Sequence, residues 1–413
     1  MARRADQKSD ENLRKTFVDS GVTAAVEIAD HQVLFGRRGT GKTHALRYVQ
    51  GEIEAAGDVA VYIDLRMVGS PEGLFAGEAL PETERTARIL VDLLGQVHDA
   101  LLAFVLNDDE LLENVALVTA LDALVDGITS VRVDVAEVEQ EHERRRTTRS
   151  NTGGSLTLSP APSVGMQFTN EDGHESTGRL RELRQGPERI RLSFSDVGQA
   201  LRRIAEELRG RRLWLLLDEW SGVPASIQPL LGEFLVRCAL PLSGITVKIG
   251  AIEQQSLFRQ RLEDGSVVGI ELGADVTANV NLDDFMVFEQ NEERSREFFR
   301  ELLTAHLMSD ELPGAVLARP GGLISHGFKD RRAFDELVRA AEGVPRDAIN
   351  IVAKAAMRAV EQKISVDDVR AAAQAWFTSD KEAALRTYEE ATLLLRWIVD
   401  EVIRGKRSRG FLV

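Results

Sequence analysis

The chain has 413 residues, 43% of them hydrophobic and 28% charged, with a formal net charge of −15. That length predicts two or three domains with ample apolar content for their cores, and the negative balance excludes a surface that coats nucleic acid indiscriminately, confining any DNA contact to a local basic patch. A single cysteine, Cys238, excludes a disulfide framework and a cysteine-based zinc site, and its apolar surroundings from Leu235 to Leu240 read as those of a buried, inert thiol.

Met1-Ala2-Arg3-Arg4-Ala5-Asp6 is charged and lacks the apolar core of a signal peptide. No stretch of about eighteen uninterrupted apolar residues follows, so the expectation is a cytoplasmic protein with no membrane partner. Residues 9–30, with Val18, Val22, Val26 and Ile28 as apolar members, suit a helix and loop leading into a first strand.

Val33-Leu34-Phe35-Gly36-Arg37-Arg38-Gly39-Thr40-Gly41-Lys42-Thr43 is a short apolar strand running into G-x-x-x-x-G-K-[ST], with the helix-forming run from His44 to Val49 directly behind. Glycines at Gly36, Gly39 and Gly41 let the backbone wrap a phosphate chain. The N–H groups of Thr40, Lys42, Thr43 and His44 then point at the anion from the helix N-terminus. Lys42 is expected to reach the β- and γ-phosphates and the Thr43 hydroxyl to ligate Mg²⁺. A nucleotide triphosphate is therefore the expected ligand. The turn Ala56-Gly57-Asp58 and the apolar run Val59 to Leu65 then read as a second buried parallel strand.

From Glu82 to about Val105 apolar residues recur at helical spacing, and a second helical region is expected from Asp108 to about Arg146. Residues 147–186 are rich in Ser, Thr, Gly and Pro and read as a loop or disordered insert. The period-two alternation of Leu156, Leu158, Val164, Met166 and Phe168 leaves a flexible β-hairpin as the competing reading. The insert is expected to be dispensable for hydrolysis and needed for whatever the chain acts on. Ile190 to Phe194 looks strand-like, with Ser195 as N-cap of a helix from Asp196 to Leu208.

Leu213-Trp214-Leu215-Leu216-Leu217-Asp218-Glu219 predicts a buried parallel strand whose carboxyl end carries two carboxylates, the end at which open α/β sheets bind ligands. Asp218 would hold Mg²⁺ through water, and Glu219 would orient and deprotonate an attacking water. A helix from Pro229 to Ala239 and a further strand from Ile245 to Ala251 follow. The tail of that strand, including Glu253, would face the γ-phosphate if the strand lies beside the Asp-Glu strand. Arg259 and Arg261 come next, either as exposed arginines of an amphipathic helix or as a residue offered to a neighbouring subunit. Phe285 to Phe288 is expected to be the last short strand. From Glu292 the pattern is helical: Arg294 to His306, Arg332 to Ala341, Arg346 to Val360, Val366 to Trp376, and Glu382 to Ile403.

Together these features resemble the AAA+ ATPases, and within them the origin-recognition and archaeal replication-initiator branch. They are also similar to ATPases of bacterial conflict systems. The resemblance rests on the P-loop, the Walker B residues Leu217-Asp218-Glu219, the polar residues after the next strand, and Gly343-Val344-Pro345-Arg346 together with Lys363 to Val369 in a helical lid.

It implies an α/β parallel-sheet core over residues 1–291 with an insertion at about 70–189, an all-helical lid over 292–377, and a C-terminal helix and basic tail over 378–413. That tail is either an ending or the beginning of a winged helix. It also implies ATP and Mg²⁺ as ligands, hydrolysis, and a homo- or hetero-oligomer acting on DNA or a partner protein. Arg346 would be the lid arginine that senses the γ-phosphate, and Arg259 or Arg261 the arginine finger. Glu253 or Gln254 stands where this branch usually has Asn or Thr. An assembly scaffold that binds ATP without hydrolysing it, or a signalling ATPase of an antiviral system, is the alternative. A small-molecule kinase fits less well, since no separate acceptor site is visible.

Overall fold

In the computed structural model the chain divides into two compact units, Met1–Met67 with Leu208–Val413, and Val68–Glu207. The structure describes residues 10–19, 21–69, 82–129, 131–133, 188–190, 192–262, 264–284, 291–308, 321–386 and 388–407. The insert at 147–186, the expected strand at 285–288, the first six residues and the end of the basic tail lie outside them.

The first unit is built on five parallel strands, β1 (Gln32–Phe35), β2 (Val59–Asp64), β3 (Leu213–Asp218), β4 (Ile245–Ala251) and β5 (Thr277–Asn281), in the order β2-β3-β4-β1-β5. The three central strands are buried along their whole length, whereas edge strand β2 alternates buried and half-buried residues. Central parallel strands are covered on both faces and need apolar side chains on both, which is why β1, β3 and β4 read as continuous apolar runs. The fifth strand is Thr277–Asn281. The period-two series Val276, Ala278, Val280 and Leu282 marks it, but interleaved Asn and Thr weaken the signal.

The register aligns the carboxyl ends. Ile249 stands between Leu217 and Val33, and Ala251 stands beside Phe35. The loops after β1, β3 and β4 therefore leave the sheet at one edge. Over one face lies the helix Lys42–Ala55, whose Leu46, Val49 and Ile53 pack with Leu34, Trp214, Leu216 and Val280.

After β4 the chain forms no amphipathic helix at Arg259 and Arg261. These residues make a short strand, Arg259–Arg261, paired antiparallel with Val267–Gly269 in an exposed hairpin.

The lid is helical, with Glu292–Met308, Arg331–Ala341, Pro345–Ala359 and Val366–Trp376 closing around Phe299, Phe328, Phe334, Leu337, Ile351 and Val369. Local chemistry sets its helix starts. The Asp330 side chain accepts from the Ala333 N–H, and Ser365 and Asp368 form a reciprocal capping box. The expected last helix is interrupted. Ala383–Leu385 ends in a break, Glu389–Trp397 resumes an α-helix, and Ile398–Gly405 winds as a π-helix, as does Phe377–Glu382 just before.

The second unit contains the helices Glu82–Leu106, Val115–Thr129 and Phe194–Glu207 and a ribbon of Val131–Val133 paired with Glu188–Ile190. Helix does not continue toward Arg146 without a break, because Val131-Arg132-Val133 pairs as a strand instead. The unit runs past residue 189 because Val197, Ala200, Leu201 and Ile204 are buried on a helix packed against Val115–Thr129. That helix starts at Phe194, and its cap is Ser193, whose Oγ accepts from the Asp196 N–H (3.3 Å), not Ser195. The stretch Glu84–Leu106 is long and apolar enough to cross a membrane, with a mean hydropathy of 1.8. Its stripe Ile89, Leu90, Leu93, Leu94, Val97 and Leu101 is buried in the unit, as in the core helix of a folded domain.

Candidate nucleotide site

The loop between β1 and the helix Lys42–Ala55 is shaped by its glycines. Gly39 (φ +92°) and Gly41 (φ +103°) are left-handed, a conformation that a side chain would strain. A Cβ at Gly36 would lie 2.6 Å from the Thr40 hydroxyl, which donates to the Arg37 carbonyl (2.9 Å) and braces the turn. The helix start has no side-chain cap and no acidic residue in its first turn, so its leading N–H groups are left for an anion.

Lys42 is buried. Its Nζ donates to the carbonyls of Gly36 (2.7 Å) and Arg37 (3.2 Å). Burial pulls its ammonium below the ordinary lysine value, and attraction to Asp218, Glu219 and Asp283 opposes that shift. The acidic pair and the P-loop lysine thus share one electrostatic site. Half-buried Thr43 follows in the helix. The His44 Nε2–H donates to the Leu13 carbonyl (2.7 Å) and its ring meets Phe17 edge-on, so the imidazole faces the N-terminal helix Asp10–Thr16 and any phosphate contact rests on its main-chain N–H.

Asp218 ends β3 with no exposed surface. The Tyr62 hydroxyl donates to its Oδ2 (2.8 Å) and the Glu219 N–H to its Oδ1 (2.8 Å), fixing the carboxylate. Glu219 is left-handed (φ 58°, ψ 40°), a turn that carries its side chain off the strand line. Burial, and then the neighbouring Asp218, raise the Glu219 carboxyl above the usual range, and Arg66 and Lys42 counter that rise. Arg66 lies 3.8 Å from the Glu219 Oε1 and donates from Nε to Asp64 Oδ1 (3.0 Å). A carboxylate that is desolvated yet flanked by cations suits a general base.

Residues 2–57 match the model of a family described as ORC-CDC6-like. The chain is related to the ORC-CDC6-like AAA+ ATPases. The match spans the N-terminal helix, β1, the P-loop and the helix after it. No curated protein matches the chain.

Arg346, which lies outside the matched residues, meets the P-loop. The Arg346 N–H donates to the Gly39 carbonyl (3.3 Å), and a Cβ at Gly39 would stand 2.8 Å from the Arg346 Cβ. Arg37 adds a second tie, donating to Asp283 Oδ1 (2.8 Å) and to the Glu342 carbonyl of the lid (3.0 Å). Glu253 occupies an exposed turn after β4, and that strand does lie beside β3 as the sheet reading required. Just before it, the Ile252 N–H donates to Ser221 Oγ (2.8 Å), which ties the tail of β4 to the turn behind Glu219. Arg259 and Arg261 stay on the exposed hairpin, and Arg259 pairs with Glu271 (2.9 Å).

Tyr62, Arg66, Asp283 and Ser221 are site residues that the motifs did not reveal. Tyr62 had a faint signal as the polar-tipped residue of an apolar strand, two positions before Asp64.

Among the described residues no group of three or more His, Cys, Asp or Glu side chains could hold a metal. One hydroxyl at Thr43 and one fixed carboxylate at Asp218 form an all-oxygen set, which fits Mg²⁺ completed by water and phosphate oxygens.

Proposed function

We propose that the chain binds ATP with Mg²⁺ and hydrolyses it, working as an oligomeric switch or motor on DNA or a partner protein. One observation carries the reading. The P-loop that follows β1 and the Asp218-Glu219 pair at the end of β3, strands separated by β4 alone, open at the same carboxyl edge of the sheet. Gly36, Gly39, Thr40, Gly41, Lys42, Thr43 and the His44 main chain would hold the phosphates, and Thr43 and Asp218 the cation, which neutralises phosphate charge when bound.

In this reading Glu219 takes the proton of the attacking water. Arg346 reports the γ-phosphate to the lid, Glu253 faces it from the tail of β4, and Arg259 or Arg261 reaches a neighbouring subunit.

The test is a pair of variants. Lys42→Ala should abolish binding of labelled ATP. Glu219→Gln should keep binding and lose phosphate release by about 10²-fold or more. Undiminished turnover in Glu219→Gln would end the assignment, and wild-type binding without turnover would leave the scaffold reading.

A further inference from the structure

Arg346 is poised over the P-loop with a spare donor. Its Nε is buried without a hydrogen-bond partner, while its Nη2 meets Asp380 Oδ2 at 3.3 Å, a long contact between a half-buried arginine and a half-buried aspartate. The stem of the same side chain lies against Gly39, with Nε 3.0 Å from where a Cβ of that residue would be. A guanidinium offers five donors in a fixed fork, and here one donor has a carboxylate at the outer limit of bonding.

Asp380 sits on the π-helical stretch Phe377–Glu382, which directly continues the lid helix Val366–Trp376. π-Turns within helices are uncommon and concentrate at functional sites. The neighbouring pair completes a crossed clamp. Lys381 Nζ meets Asp347 Oδ2 (3.0 Å) and lies 3.7 Å from Asp380 Oδ2, and the Trp376 Nε1–H donates to Asp347 Oδ1 (3.1 Å). Two consecutive residues of the helix Pro345–Ala359 are thus held by two consecutive residues of the π-turn. Beyond the turn, the chain carries exposed Leu393, Leu394, Trp397 and Ile403.

We propose that Asp380 is an internal competitor for Arg346. It holds the guanidinium against the γ-phosphate of a bound nucleotide, and phosphate binding releases the segment Phe377–Gly405 from the lid. The inference rests on the nucleotide-binding reading above and adds a positioning residue and an output to it. A phosphate carries more charge and more acceptors than one carboxylate, so it wins both the Nη2 donor and the unpartnered Nε. The cost of releasing a partly exposed ion pair is small, which makes the exchange reversible.

The experiment measures labelled ATP and ADP binding together with hydrogen exchange of residues 377–405. Asp380→Asn should bind ATP about two- to fivefold more tightly, the ratio set by one partly exposed ion pair, with ADP affinity unchanged. Its segment 377–405 should exchange fast with or without nucleotide, whereas in the wild-type chain ATP should speed that exchange. Trp376→Phe removes a tie between the turn and Asp347 without touching Asp380 and should leave ATP affinity unchanged. Equal ATP affinity in Asp380→Asn and wild type, equal tightening for ADP, or tightening in Trp376→Phe would overturn the proposal. A wild-type chain that binds no ATP would instead overturn the reading beneath it, and this inference with it.

Discussion

A Cβ at Gly250 would lie 2.6 Å from the Asp218 Oδ1, so the middle strand of the sheet is bare where the carboxylate passes it. The carboxylate cannot retreat, because Tyr62 and the Glu219 N–H hold its two oxygens. Gly250→Ala should therefore displace Asp218, costing about 1–3 kcal/mol of stability as overpacking does, and weaken the Mg²⁺ dependence of nucleotide binding. Urea unfolding and ATP titration with and without Mg²⁺ check this.

Tyr62→Phe removes the donor to Asp218 and leaves a buried carboxylate oxygen with one partner fewer. The expected loss is about 1–3 kcal/mol in urea unfolding. The Arg47 guanidinium, 3.7 Å from the Tyr62 ring centroid, keeps its cation–π contact with phenylalanine, so the loss reports the hydroxyl alone.

The raised Glu219 carboxyl gives a sign for pH dependence. A general base works when ionised, so the acid limb of kcat should fall at a pH above the ordinary carboxylate value of 4.5. Arg66 pulls that value down, and Arg66→Ala should move the limb further toward neutral pH. A pH–rate profile in which the limb stays put or moves to lower pH would remove Arg66 from the site.

In the middle of β4, Lys248 has no exposed surface. Its Nζ donates to the carbonyls of Ile28 (2.6 Å) and Asp30 (2.9 Å) and to the Gln32 side-chain oxygen. Burial pushes its ammonium down to about 7 from 10.5. Between those values the unfolded chain binds a proton that the folded chain releases, so stability should rise with pH across that window and level off below it. Lys248→Met should flatten this trend, as seen by comparing urea midpoints at about pH 6.5 and about pH 9.5.

The exposed hairpin offers a test of oligomeric action. If Arg259 or Arg261 completes a neighbour's site, a subunit lacking both arginines should regain partial activity when mixed with a Glu219→Gln subunit, since each supplies what the other lacks. Assembled mixed oligomers with no activity would assign both arginines to the surface.

The sequence by itself determined whatever is written in consecutive residues. The P-loop is legible because strand, glycines, Lys42-Thr43 and helix occur in one run, and β3 because five apolar residues end in Asp218 and Glu219. The helix Val366–Trp376 was legible to the residue from its helical pattern, and Ser365 and Asp368 cap its start.

Tertiary structure alone decided the pairs that the chain closes over long distances. The Tyr62 hydroxyl reaches Asp218 across 156 residues, and Arg37 reaches the Glu342 carbonyl across 305. The order of parallel strands sets such contacts, and the connections that create that order leave no local spacing to read. The same holds for Gly250, whose missing side chain has meaning only beside a strand that the sequence does not name. It holds too for Asp380, an ordinary acidic residue of a helical stretch until a π-turn sets it opposite Arg346.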